Sequence, residues 1–260
     1  QGVLERVSVF RGGCARAAAV AVTGAALPDL TRLLDRSLLR REENGRYAFH
    51  DLVRQFAAEQ LETADADAVR DKHSDYYLNF LAERSPAVKS GRQQAALAEI
   101  ASDIDNIRTA WQHGVDHRRL SSLSQAAECY WLYSEFRGDL SGGEELFNRT
   151  RKALATTEPA VEEEKLLGFL QAGQGSLAAR RGWLVEGIAH LKAGLAPLRR
   201  LEPPDRQKEA FAVARLASGL MMQGKYDEAE CAAQESLDLF PQTHDDWLKA
   251  SCLRLLGAAA

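Results

Sequence analysis

The sequence predicts a mainly α-helical protein, and three observations lead there. Apolar residues recur at helical spacing after residue 50. Proline is scarce, with seven in the chain, mostly at segment edges such as Pro28, Pro86, Pro159, Pro203 and Pro204. From residue 120 onward the chain repeats a unit of helix, glycine turn and helix.

The elements follow in order. A first helix is expected to end within residues 10–13, a second to cover 15–21, and a third to cover 27–35. Pro28 stands near the start of the third, where its missing N–H costs nothing. Residues 37–49 then place two short apolar-polar stretches either side of Asn44-Gly45, a pair that tolerates the left-handed backbone of a tight turn. A small β-hairpin is expected there. Three helices and a hairpin are the order of a winged helix-turn-helix, assigned to residues 1–62.

Asp51 is expected to cap the next helix, with Leu52, Val53, Phe56, Ala57 and Leu61 on one face. The acidic stretch 62–71 leads into helices over 73–82 and 94–111, with 85–92 as the loop between them. Tyr76, Tyr77, Phe80 and Leu81, then Leu97, Ile100, Ile104, Ile107 and Trp111, keep helical spacing. Residues 63–120 are read as a helical linker or bundle.

Residues 121–260 are read as an α-solenoid of tetratricopeptide-like repeats. Their turns are Arg137-Gly138-Asp139, Arg181-Gly182-Trp183 and Gln223-Gly224-Lys225, so the glycines fall 44 and 42 residues apart. That exceeds the ~34 of the standard repeat and suits longer helices. The third unit carries Gly224, Tyr226, Ala229 and Leu237, with Pro241 ending it. A fourth unit is expected to begin at His244 and to stop after one helix. Each repeat buries its apolar face against a neighbour, so the array reads as truncated.

Composition narrows the function classes. With 33 Lys+Arg against 37 Asp+Glu the net charge is −4, an ordinary balance. Only residues 1–60 are positive, 9 basic against 7 acidic, which is a weak footprint for nucleic acid. The longest run free of charge and strong polarity, 17–28, is far below the ~20 apolar residues of a membrane span. Arg6, Arg11 and Arg16 do not suit a secretory signal, so a cytoplasmic protein is expected. Cys14, Cys129, Cys231 and Cys252 have no metal-ligand spacing and read as free, mostly buried thiols.

Three local patterns resemble sites and are set aside. The run Gly219-Leu220-Met221-Met222-Gln223-Gly224-Lys225 has the letters of a phosphate-binding loop. It is followed by Tyr226 rather than Ser or Thr, and it lies at a helix end rather than after a strand. His113 and His117 share a helix face but lack a third ligand. Asn148-Arg149-Thr150 is a glycosylation sequon by letters only. No nucleophile with a base at motif spacing is visible, so no enzyme activity is assigned to the chain.

Three segments together resemble a family. They are Leu4-Glu5-Arg6-Val7-Ser8-Val9-Phe10-Arg11-Gly12-Gly13, then Leu33-Leu34-Asp35-Arg36-Ser37-Leu38-Leu39, and then residues 46–57 from Arg46-Tyr47-Ala48-Phe49-His50-Asp51 to Phe56-Ala57. They resemble the winged-helix module of signal-transduction ATPases with numerous domains, including large LuxR-type and antibiotic-regulatory-type transcriptional regulators. Residues 73–81 and Asp103-Ile104-Asp105-Asn106-Ile107-Arg108 resemble the connecting helices of the same proteins. The resemblance implies a switch. An upstream nucleotide-binding domain is held closed on ADP by the winged helix, and sensing by the helical array releases it for ATP-driven assembly. The nucleotide-binding domain is absent here, so the chain is expected to need no cofactor itself, with ADP, ATP and Mg²⁺ belonging to the full-length protein.

The resemblance places His50 at the β-phosphate of ADP in that closed state. An imidazole N–H suits this, because it donates a charge-assisted hydrogen bond to phosphate. Expected partners are the upstream domain and a peptide, protein or small-molecule effector on the array. Aligning the repeats on their glycines puts Glu128, Leu132, Glu135, Phe136, Phe169, Arg180, Phe211, Ser218, Met221 and Met222 on the inner face, where such an effector would lie. The same apolar stripe equally suits packing between helices. The alternative function is a stand-alone DNA-binding adaptor, with Arg32, Arg36, Arg40, Arg41 and Arg46 on the backbone of a duplex.

Overall fold

The computed structural model describes residues 2–61, 63–240 and 245–259. Among them the chain is mainly α-helical with one small β-ribbon, and it divides into two compact units. One comprises residues 1–84 and 94–126; the other comprises 85–93 and 127–260.

The first unit opens with α1 (Gly2–Val7), α2 (Arg16–Thr23) and α3 (Leu27–Asp35). The first helix stops at Val7, short of the expected 10–13, because Ser8, Val9 and Phe10 turn back onto the carbonyls of Glu5, Arg6 and Val7. Strands β1 (Arg40–Arg41) and β2 (Tyr47–Ala48) pair antiparallel, Arg40 opposite Ala48 and Arg41 opposite Tyr47. Asn44-Gly45 makes the turn as expected: Gly45 has φ +82, its N–H donates to Glu42 O, and Asn44 Oδ1 accepts from Arg46 N at 2.9 Å. Tyr47 also exchanges two backbone hydrogen bonds with Cys14, at 2.8 and 2.9 Å.

Three expectations for the middle of the chain are corrected. After α4 (Asp51–Gln60), the acidic stretch is itself helical, within α5 (Thr63–Val88). That helix runs through Pro86, so the loop expected over 85–92 shrinks to a few residues. Proline forfeits one hydrogen bond close to the helix end, while Val88 beyond it is fully buried. The single helix expected over 94–111 is two, α6 (Gln93–Ser102) and α7 (Ile104–Asp116), broken at Asp103. The core of this unit holds Phe10, Leu30, Tyr77, Leu78, Leu81, Ile100 and Trp111.

The second unit is a series of helix pairs. Its helices are α8 (Leu120–Arg137, whose first residues lie in the other unit), α9 (Leu140–Leu154), α10 (Val161–Arg180), α11 (Leu184–Leu198), α12 (Arg206–Met222), α13 (Tyr226–Asp238) and α14 (Asp246–Ala259). Gly138, Gly182 and Gly224 make the turns with φ of +74, +96 and +80, a left-handed backbone that glycine adopts without strain. The expected start of the fourth unit at His244, and Pro241, lie outside the described residues.

The middle pair is joined backbone to backbone. A Cβ on Gly175 would lie 2.5 Å from Gly187 O, and one on Gly194 would lie 2.5 Å from Ala172 N and 2.6 Å from Gly168 O. Ala172, Leu191, Leu195, Val213, Ala217, Leu220, Ala229 and Ala233 form the core on either side.

Candidate functional site

The first candidate is the start of α4. His50 is the N-cap, with an extended backbone (φ −75, ψ 133), and Asp51 is the first helical residue rather than the cap. No side-chain cap bond forms there; Asp51 is exposed, 3.9 Å from Arg54 Nε. His50 is exposed too. On the helix that follows, Leu52 and Phe56 stand one turn apart at 70% and 60% exposure. An exposed imidazole thus opens a helix that carries two exposed large apolar side chains.

The same unit holds a buried polar clasp. Asp103 accepts from Arg46 Nη1 and Nη2 at 2.9 and 2.7 Å, from the Tyr77 hydroxyl at 3.0 Å and from Asn106 Nδ2 at 3.0 Å. Asn106 also donates to Gly13 O at 2.8 Å and accepts from Arg11 N at 2.7 Å. His73 Nε2 lies 3.3 Å from Asn106 Oδ1, with the ring packed against Phe10 and Tyr77. Residues of α5 and of the start of α7 therefore grip the β-ribbon and the loop between α1 and α2. Burial lowers the pKa of His73 to about 4 and pushes the Cys14 thiol up to about 12, leaving both neutral. Arg46, expected on a DNA-facing edge, is spent in this pair; Arg40 and Arg41 are exposed.

The second candidate is the face made by α8, α10, α12 and α14. Leu132, Phe169 and Phe211 are enclosed, Phe169 and Phe211 with ring centroids 4.8 Å apart. They are packing residues, a correction to their expected place on the contact surface. Met221 packs against the core as well. Glu128, Glu135 and Ser218 are half-buried, and Phe136, Arg180 and Met222 are exposed.

Glu128 belongs to an ion network. Lys89 Nζ lies 2.5 Å from its Oε1 and 2.6 Å from Asp245 Oδ2, and Gln207 and Ser85 reach its Oε2. Burial works against the Lys89 ammonium, but the two carboxylates outweigh it and hold its pKa above the ordinary value. Glu135 Oε1 pairs with Arg180 Nε at 2.8 Å.

Sequence reasoning passes over the group at the middle of this face. Arg215 lies 5.3, 5.8 and 5.5 Å over the rings of Trp131, Phe211 and Trp247, and its Nη2 donates to Ser251 Oγ at 3.0 Å. Among the described residues, Arg215 Nε, Trp131 Nε1 and Glu135 Oε2 are buried without a hydrogen-bond partner. A lone arginine in the apolar run 210–217 was the available signal.

The set-aside patterns take ordinary places. Gly219 to Lys225 spans the end of α12 and the cap of α13. His113 bonds Asp71 at 2.7 Å and stacks on His117. Among the described residues no group of three or more His, Cys, Asp or Glu is placed to hold a metal ion. Among the described residues no single helix is long and apolar enough to cross a membrane.

No protein-family model matches the sequence, and no curated protein matches it. One solved structure that it matches is a signal-transduction ATPase with numerous domains from Pyrococcus horikoshii, which has a tetratricopeptide repeat sensor. The two are 14% identical, the match covers 99% of this chain and 52% of that one, and the TM-score is 0.29. The chain spans about half the length of that protein.

Proposed function

We propose that the chain is a non-catalytic regulatory and sensor part of a signalling ATPase that controls transcription. Residues 1–62 act as a winged helix that locks an upstream, ADP-bound domain of the same protein. Residues 63–120 connect it to the array, and 121–260 take a protein, peptide or small-molecule effector. The observation that carries this reading is the face of α8, α10, α12 and α14, where charged and aromatic groups gather and buried polar atoms lack partners. Helical-repeat arrays bind through such extended faces. The exposure of His50, and of Leu52 and Phe56 on the helix that it caps, supports the lock.

The test is His50→Ala in the full-length protein. ADP retention should weaken by the ~1.5–3 kcal/mol of a hydrogen bond to a charged group, and uninduced activity should rise. An unchanged ADP off-rate with unchanged basal activity overturns the lock.

A further inference from the structure

The centre of the array face is short of one negative group. Arg215 is enclosed by Trp131, Phe211 and Trp247. Glu135 and Asp245 lie near enough to favour its charge, but burial outweighs them and lowers its pKa, and among the described residues neither forms an ion pair with it. The nearby Glu135 is drawn to Arg180 instead. A buried guanidinium without a counter-charge is costly, and a fixed counter-ion relieves that cost.

The geometry also states what shape the counter-ion has. Nε–H and Nη2–H lie along one edge of the guanidinium, the edge that a carboxylate takes with two oxygens. The Ser251 hydroxyl holds one of those two donors at 3.0 Å, and among the described residues the other has no partner. The Trp131 indole N–H is a second buried donor with none among them. Around these donors the walls are rings: Trp131 meets Phe211 edge-on at 4.9 Å and Trp247 at 6.5 Å, and Phe136 meets Trp247 at 6.2 Å.

We propose that Arg215, with Ser251 and Trp131, is the binding site for the carboxylate of a small planar or aromatic effector whose body lies among Trp131, Phe136 and Trp247. This deepens the reading of the array as a sensor and rests on it. The half-buried Trp247 is the outer wall, so the ligand enters by displacing that ring. Glu135 Oε2 repels a second negative charge, which selects a monoanion.

The experiment titrates the 260-residue chain with benzoate, phenylacetate and indole-3-acetate, and with the matched neutral amides and amines. Calorimetry measures affinity, and tryptophan fluorescence is read alongside for the phenyl probes. Carboxylates should bind at least tenfold more tightly than their amides. Arg215→Met should abolish that preference, and Trp247→Phe should remove most of the fluorescence change. Methionine replaces a buried unpaired charge by a group of similar length, so this variant should unfold at the same or a higher temperature than the parent. Amides or amines binding as well as carboxylates overturns the carboxylate assignment while leaving the array as a sensor. So does Arg215→Met with unchanged affinity, or no binding by any probe at millimolar concentration. None of these outcomes bears on the His50 test, which fails or holds separately.

Discussion

Replacing Asp103 by alanine removes the centre of the clasp that holds the β-ribbon. Its side chain is 5% exposed, and it receives four hydrogen bonds from Arg46, Tyr77 and Asn106. In the variant, Arg46, itself 12% exposed, keeps only long contacts to Gly13 O (3.4 Å) and Ser102 Oγ (3.5 Å). Removing one partner of a buried pair costs ~3–5 kcal/mol, and the stranded Tyr77 hydroxyl adds about 1. A loss of about 4 kcal/mol is expected, concentrated in the ribbon.

Hydrogen exchange measures this directly, because the amides of Cys14 and Tyr47 bond each other's carbonyls. Both should exchange several hundredfold faster, since each 1.4 kcal/mol is about a factor of ten. Asp103→Asn, which keeps the shape and loses the charge, should fall between. Arg46→Met combined with Asp103→Leu should recover most of the loss, because two apolar groups leave no stranded charge. Unchanged exchange at Cys14 and Tyr47 in Asp103→Ala, or strict additivity in the double variant, would refute the clasp.

Three further outcomes are expected. His73 is held neutral in the fold, so below about pH 6.5 the unfolded chain binds a proton that the native state refuses. Stability should fall between about pH 6.5 and 4 by roughly 3 kcal/mol more than in His73→Phe, and urea titrations giving parallel profiles would contradict this. Gly175→Val forces a side chain onto the Gly187 carbonyl and the Leu191 amide; the cost of ~1–3 kcal/mol or more should lower the melting temperature by several degrees, and an unchanged melting curve would show that the helices separate freely. The chain should not retard duplex DNA at physiological salt. Steeply salt-dependent binding lost on replacing Arg40 and Arg41 would instead favour the DNA-binding adaptor.

What was legible in the sequence was mostly local. Gly138, Gly182 and Gly224 mark the repeat turns because a positive φ is cheap only for glycine, and Asn44-Gly45 marks the ribbon for the same reason. The break at Asp103 was not legible. Ile100, Ile104, Ile107 and Trp111 continue one helical spacing across it, and the residue at the break pairs with an arginine beside the ribbon, far back in the chain. Pro86 misleads in the opposite direction, since one lost hydrogen bond near a helix end is outweighed by burying Val88.

The candidate face divides in the same way. Alignment on the turn glycines selects Glu135 and Phe211 but passes over Trp131 and Arg215, which fall seven and nine residues before their glycines, at the two edges of the same helix face. Trp247 and Ser251 enter only because α14 packs beside α12, a tertiary fact that no spacing records.

The seam between α10 and α11 sets where the array can yield. Where backbone rests on backbone at Gly175–Gly187 and Gly168–Gly194, there are no rotamers to switch and no side chain to compress. The two helices therefore behave as one stiff plate. Repacking is open instead to contacts made of side chains, and one of these is the contact of Trp131 and Phe136 with Trp247. A small molecule lodged at such a contact has mechanical leverage: it alters the angle between rigid pieces rather than the shape of any one of them.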